Sequence, residues 1–424
     1  MTRLETLAAI RPHLPPLIEL LSSFEHPSCL ARIEGGSGII RSMPGVPNNP
    51  GTDGKSSVIV SLSEGAEVRI DAFVSGVEPR FPNWYHIVSP TGWVWADRVK
   101  VLDPECPLET ITRSVTTISH LGITVVGNTP LSLEDQQALE ELVESYNLSE
   151  DEMEILLSGV WVKSDLLRAI EVLQELKSYG INIGVSRELD RVPDHIPGSW
   201  RLDQLEALLA FVEVASERIS KMTREVRLYD RYSGIGLGFH AQEYAEYINY
   251  LAEQYGVSPK AVPFIHLFGG SLTFRIDAKD YSYPPEHWFA TSSGGGVVTF
   301  GQYAFFEGTK GTEASSLDFT SPQLVTHEAV HQIFYILGND VMEGIFERYD
   351  TEMSDRGLGL DADYTIGARS SDLHSEIMTD AVTNWLWEAF TTDANGNLDA
   401  NGDFRKTQMD SLMKEIIDRV WGAP

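Results

Sequence analysis

One helix-length segment, Ser321 to Gly338, constrains this chain more than any other. Ser321 suits an N-cap, Pro322 suits the first helical position, and Gly338 suits the position just past the end. A helix over this stretch puts His327 and His331 one turn apart on the same face. Their imidazoles can then converge on a single metal ion. Glu328, beside the first histidine, reaches a water on that metal rather than the metal itself. Histidine is scarce here, 11 in 424 residues. The expected chance occurrence of this His-Glu-x-x-His pattern is therefore only roughly 0.02 per chain. The plainer reading is two histidines on a helix face, satisfied by carboxylates.

A catalytic zinc takes three protein ligands and leaves a position for water. The extended pattern with a glycine and a third histidine fails, because Phe334 and Leu337 stand in those places. Downstream, Leu373, Ile377, Ala381 and Trp385 mark an apolar helical stripe, and Glu376 and Asp380 share another face. Glu376 is the candidate third ligand. Asp380 can accept the proton of a metal-bound imidazole and so fix its orientation. His374, Asp361 and Asp363 are the rival ligands, and an exposed helix carboxylate is the plain alternative for Glu376.

This combination, HExxH followed by a helical ExxxD, resembles the gluzincin group of zinc metallopeptidases. The resemblance covers about 290–390 and rests on His327, Glu328, His331, Glu376 and Asp380. It implies a zincin-like fold, a zinc cofactor, and hydrolysis of peptide bonds by a zinc-activated water with Glu328 as general base. Members of the group use a Tyr or His to stabilise the oxyanion. Tyr364 and His374 are the nearest candidates, each with an ordinary surface or packing role as the alternative. The run from Gly296 to Phe306 reads as a strand before the active-site helix. It is either an edge that pairs with extended substrate or an interior strand.

The rest of the chain divides by texture. Residues 1–27 read as a helical lead. From 28 to 106, short Val-, Ile-, Trp- and Tyr-rich strands at Ser57–Leu62, Glu67–Phe73, Trp84–Val88 and Gly92–Ala96 alternate with turns, as in a small β-barrel. Ile40-Arg41-Ser42, Leu62 to Val68, Trp84-Tyr85 and Gly92-Trp93-Val94-Trp95-Ala96 resemble a bacterial SH3-like (SH3b) domain, with a long insert at Pro44–Gly54. The resemblance implies a cell-wall or protein ligand, or else a structural barrel packed on its neighbour. Cys29 and Cys106 bracket this stretch, either as a disulfide clasp or as two separate thiols.

Residues 107–190 read as a helical connector. Capping signals stand at Ser132 and Ser149, and a third helix starts at Ser164. From 191 to 424 an α+β domain follows, with helices over Trp200–Ile219 and Ala241–Tyr255. Strand-like runs stand at Ala261–Phe268 and Ser271–Ile276. Gly234, Gly236 and Gly238 do not make a dinucleotide fingerprint. The loop from Asp393 to Asp399 resembles a calcium loop but lacks the needed Gly and Glu, which favours a polar turn.

Lys plus Arg number 32 and Asp plus Glu 62, a formal charge of −30. Such a surface repels phosphate backbones, which argues against nucleic acid as a partner. No apolar run reaches membrane-spanning length, and the first thirty residues carry no signal-peptide pattern. A cytoplasmic protein, or one exported by a non-classical route, is the expectation. The sequence thus reads as multidomain: a small SH3-like β-barrel, a helical connector, and a C-terminal α+β zincin-like metallopeptidase domain acting on protein or peptide. The alternatives are a cell-wall or protein binding protein with a vestigial or structural zinc site, and a zinc amidase acting on cell-wall peptides or another non-protein amide.

Overall fold

The computed structural model describes residues 28–41, 58–75, 83–88, 92–103, 109–110, 114–127, 129–185, 199–230, 237–277, 290–301, 321–358 and 373–421. The expected helical lead at 1–27, the insert at 44–54 and Gly234 lie outside them.

Strands β1 (Cys29–Ile33), β2 (Gly38–Arg41), β3 (Val58–Leu62), β4 (Glu67–Ser75), β5 (Asn83–Ile87), β6 (Gly92–Trp95), β7 (Val99–Val101) and β8 (Glu109–Thr110) form one N-terminal sheet. Its order is β3-β2-β6-β5-β4-β1-β7, with β8 added in parallel on β4. Among the described residues no pairing joins β3 to β7, so the expected barrel is described as an open path. Period-two alternation turns Ala31, Ile33, Ile40, Val68, Ile70, Ile87 and Val94 into a small core of their own. Cys29 is buried in it and disulfide-bonded, so it is not a separate thiol. Cys106, the other cysteine of the sequence, lies outside the described residues.

The stretch expected as a helical connector carries strands as well. β9 (Ser114–Ile118), β10 (Ile123–Gly127) and β11 (Gly159–Val162) make a three-stranded sheet. Helices α1 (Leu133–Glu144), α2 (Glu150–Leu156) and α3 (Lys163–Ser178) accompany it. The β-branched residues of 123–126 and 159–162 favour strands, and their short runs are easily lost between strong helical signals. Ser132 caps α1 by accepting the Asp135 N–H, and Ser149 forms a capping box with Glu152. Ser164 caps nothing; α3 begins one residue earlier, after Val162.

The chain then forms β12 (Ile181–Val185), α4 (Leu202–Arg224), α5 (Leu237–Tyr255), α6 (Val262–Leu267), β13 (Leu272–Asp277), β14 (Ala290–Ser293) and β15 (Val297–Gly301). Helices α7 (Ser321–Leu337), α8 (Asn339–Asp355), α9 (Leu373–Leu386) and α10 (Ala400–Trp421) complete it. The run 261–268, expected as a strand, is helical. Apart from His266 it is apolar, so periodicity does not discriminate, and Pro263 in the first turn favours a helix start.

The third sheet runs β12-β13-β15-β14, parallel except for β14. One apolar core extends from Ile118 to Trp421 and takes in both C-terminal sheets and the helices on them. It does not divide at residue 190: β12 lies before that point and pairs with β13 beyond it. Among the described residues no helix is long and apolar enough to cross a membrane.

The described cysteine predicts a simple chemical outcome. The unreduced, denatured protein is expected to yield no titratable thiol, and two after reduction. A thiol titrating before reduction would contradict the disulfide.

Candidate metal centre

Helix α7 carries the first two ligand candidates. Val325, Ala329, Val330 and Ile333 are buried, and this packing fixes the helix against α4 and α9. Gly338, at φ 85°, follows the helix, and its N–H donates to the Phe334 carbonyl. That conformation is open to glycine and lets α8 start at once.

Gln332, next to His331 and only 1% exposed, ties α7 to the third sheet. Its Oε1 accepts the Gly296 N–H at 2.9 Å, and its Nε2 donates to the Val297 carbonyl at 3.1 Å and to Ser292 Oγ. Gly296 has φ 78°, and a Cβ there would meet the Ser271 carbonyl oxygen at 2.6 Å. The strand β15 that begins here lies between β13 and β14, so the edge reading of 296–306 is corrected. Val298 and Phe300 are fully buried, which suits an interior strand, and β14 is the edge among the described residues. Residues 302–306 lie outside them.

Helix α9 packs on α7 with Ser375, Glu376, Thr379 and Asp380 facing its two histidines, while Ile377, Met378 and Ala381 are buried in the apolar core. The Trp387 indole N–H, just past its end, donates to Thr326 Oγ1 on α7 at 2.9 Å. This packing brings Glu376 and Asp380 to opposite ends of one imidazole. His327 Nδ1–H donates to Asp380 Oδ1 at 2.8 Å, and its Nε2 lies 3.0 Å from Glu376 Oε2. The two histidine Nε2 atoms are 3.2 Å apart, and His331 Nε2 is 3.5 Å from Glu376 Oε1. His331 turns its Nδ1 to two hydroxyls, Thr379 Oγ1 at 3.2 Å and Ser375 Oγ at 3.3 Å.

These distances test the fit of a metal. Four tetrahedral ligand atoms at zinc bond lengths of about 2.0–2.1 Å stand about 3.3 Å from one another. The two histidine nitrogens stand 3.2 Å apart, and each meets a different oxygen of Glu376, at 3.0 and 3.5 Å, separations of the same size. Two imidazole nitrogens and a carboxylate that face one point are a donor set suited to zinc. His327, His331 and Glu376 therefore fit the ion, and Asp380 holds the first imidazole from behind.

The electrostatics agree. Burial alone would lower the His327 pKa, but its hydrogen bonds to Asp380 and then Glu376 outweigh it and push it up to about 10. The site draws positive charge to itself. Burial works against the Glu376 carboxylate, yet its two histidine partners hold it well below the usual carboxylate range. Glu328 is different: burial, first, raises its pKa, while the histidines pull it down and Glu376 adds to the rise. Of the two glutamates it is the one with the raised proton affinity.

The other expected residues stand elsewhere. His374 does not join the cluster. Its ring stacks on Phe346 of α8 at 3.8 Å, and its Nδ1 lies 2.7 Å from Glu343 Oε1. Tyr364, Asp361 and Asp363 lie outside the described residues. At the loop before α10, Asp393 Oδ1 accepts the N–H groups of Asn395 and Asn397, and Asp399 Oδ1 those of Asn401 and Gly402. Both carboxylates are thus used as turn and helix caps. No family model, curated protein or solved structure matches the chain.

A second group, Asp71, His86 and Asp165, also has ligand-type side chains. Its geometry differs. His86 Nδ1 is 2.7 Å from Asp71 Oδ1, whereas its Nε2 faces Asp165 Oδ2 at 3.8 Å. The two carboxylates face different nitrogens of the ring, although one ligand atom from each residue lies within 4.8 Å of the others.

Sequence reasoning passed over Gln332, Ser375 and Thr379. Only the position of Gln332 beside His331 offers any signal, and hydroxyls at helical spacing offer none.

Removing the Asp380 charge gives a direct check. Asp380→Asn is expected to weaken zinc binding about 10–100-fold, measured by competition with a chromogenic chelator. Unchanged affinity in a folded variant would contradict its role behind His327.

Proposed function

We propose that the chain is a zinc-dependent metalloendopeptidase of gluzincin type, with a zincin-like C-terminal region and an SH3-like N-terminal sheet. The observation that carries this reading is the convergence of His327, His331 and Glu376 at 3.0–3.5 Å, with Asp380 behind the first of them. Zinc at this point supplies an acidified water and polarises the carbonyl under attack.

The chain's own residues do the rest. Asp380 keeps the His327 proton on Nδ1 and so directs the Nε2 lone pair inward. Ser375 and Thr379 orient His331 by hydroxyls, without a second full charge. Glu328 accepts the water proton and passes it to the leaving amine; its raised pKa suits both directions of transfer. The Gln332 hydrogen bonds hold the β14–β15 turn to the helix that carries both histidines.

The test separates binding from chemistry. Glu328→Gln is expected to keep one zinc per chain and to lose cleavage of an unstructured protein such as casein by about 10²-fold or more. His327→Ala is expected to lose the metal, and with it the stabilisation that metal gives the folded state. Zinc content by elemental analysis and cleavage by gel are read in the same samples. Turnover retained by Glu328→Gln would overturn the general-base assignment. Zinc retained at full stoichiometry by His327→Ala would overturn the site.

A further inference from the structure

The N-terminal sheet has two faces. Tyr85 and Ile87 on β5, and Val94 on β6, pack into its small core. By alternation Trp84, His86, Trp93 and Trp95 stand on the opposite face. The pairing agrees, since His86 lies opposite Trp93 and Trp84 opposite Trp95, with the His86 and Trp93 rings 4.9 Å apart. An outward sheet face with three tryptophans is the kind of surface that recruits ligands. Here it is covered: Trp84 and Trp93 are 1% exposed and His86 3%.

The polar contacts on that face identify the cover. A β-bulge in β4 between Ile70 and Ala72 makes Asp71 the extra residue. Bulges re-aim side chains, and Asp71 meets His86 Nδ1 at 2.7 Å. On the other side of the ring, Asp165 in the first turn of α3 faces Nε2 at 3.8 Å. Asp165 is 4% exposed and belongs to the helical body, not to the sheet. Asp203 in the first turn of α4 adds a third negative charge, and Arg201 just before that helix pairs with it at 3.3 Å.

We propose that His86, clasped between Asp71 of the sheet and Asp165 of the helical body, locks the aromatic outer face onto that body. The sheet's partner is thus the chain itself, and this face is not open to an outside ligand. The proposal does not depend on the zinc reading. The clasp needs the imidazole charged, because Nδ1 is hydrogen-bonded to Asp71 and only a cationic ring attracts Asp165 across 3.8 Å. Burial works against that charge, but Asp71, Asp165 and Asp203 outweigh it and push the His86 pKa up to about 9. The folded value lies above the ordinary 6.5, so the stabilisation is complete below pH 6.5 and is lost as pH rises through about 9.

The test uses the full chain and the variant Asp165→Asn, with hydrogen exchange followed by mass spectrometry at pH 7. The expected result is at least tenfold faster exchange in 83–87 and 92–95, with 272–277 and 297–301 unchanged. Unchanged exchange over 83–95 in the folded variant would overturn the proposal. Should the variant not fold, the wild type still decides. The His86 ring, followed by NMR, is expected to be doubly protonated at pH 7.5 and to titrate near 9; a neutral ring at pH 7.5 overturns it.

Discussion

Everything at the candidate site depends on how α9 packs against α7. Ile377, Met378 and Ala381 bury one side of α9 in the apolar core, and the Trp387–Thr326 hydrogen bond fixes its far end. That contact alone puts Asp380 at Nδ1 of His327 and Glu376 at its Nε2. An imidazole held between two carboxylates, with a second imidazole nitrogen at 3.2 Å, concentrates negative potential and lone pairs on one point. A proton satisfies part of that demand; a divalent cation satisfies all of it.

The two histidines are supported unequally. His327 is buried and backed by a carboxylate, while His331 is more open and backed by hydroxyls. A charged partner behind one ligand strengthens its hold on a cation, and a second would add a further buried negative charge for little gain. His86 shows the same residue types in another arrangement. Its two nitrogens face different carboxylates on different parts of the molecule, and the result is a structural tie.

Much of the site was legible because it sits on helices. The one-turn spacing of His327 and His331, and of Glu376 and Asp380, fixes a shared face before any tertiary structure is known. Where tertiary structure decides, the sequence was silent or misleading. The run 261–268 is apolar but for His266 and carries no period, so its helix reads as a strand. The run from Gly296 to Phe306 reads as either an edge or an interior strand, and only the neighbours β13 and β14 decide between them. The placing of His374 on Phe346 and Glu343 depends on how α8 lies against α9, which no local pattern encodes. The bulge that aims Asp71 at His86 is likewise invisible until the β4–β5 register is known.

The most direct test of the central claim is to locate and describe the metal itself. X-ray absorption at the zinc edge on the purified, zinc-loaded protein reads the ligand set independently of any activity. The expected result is one zinc with two imidazole nitrogens and a carboxylate oxygen at about 2.0–2.2 Å, completed by a water. A zinc shell without imidazole scattering, or a protein that takes up no zinc, would contradict it.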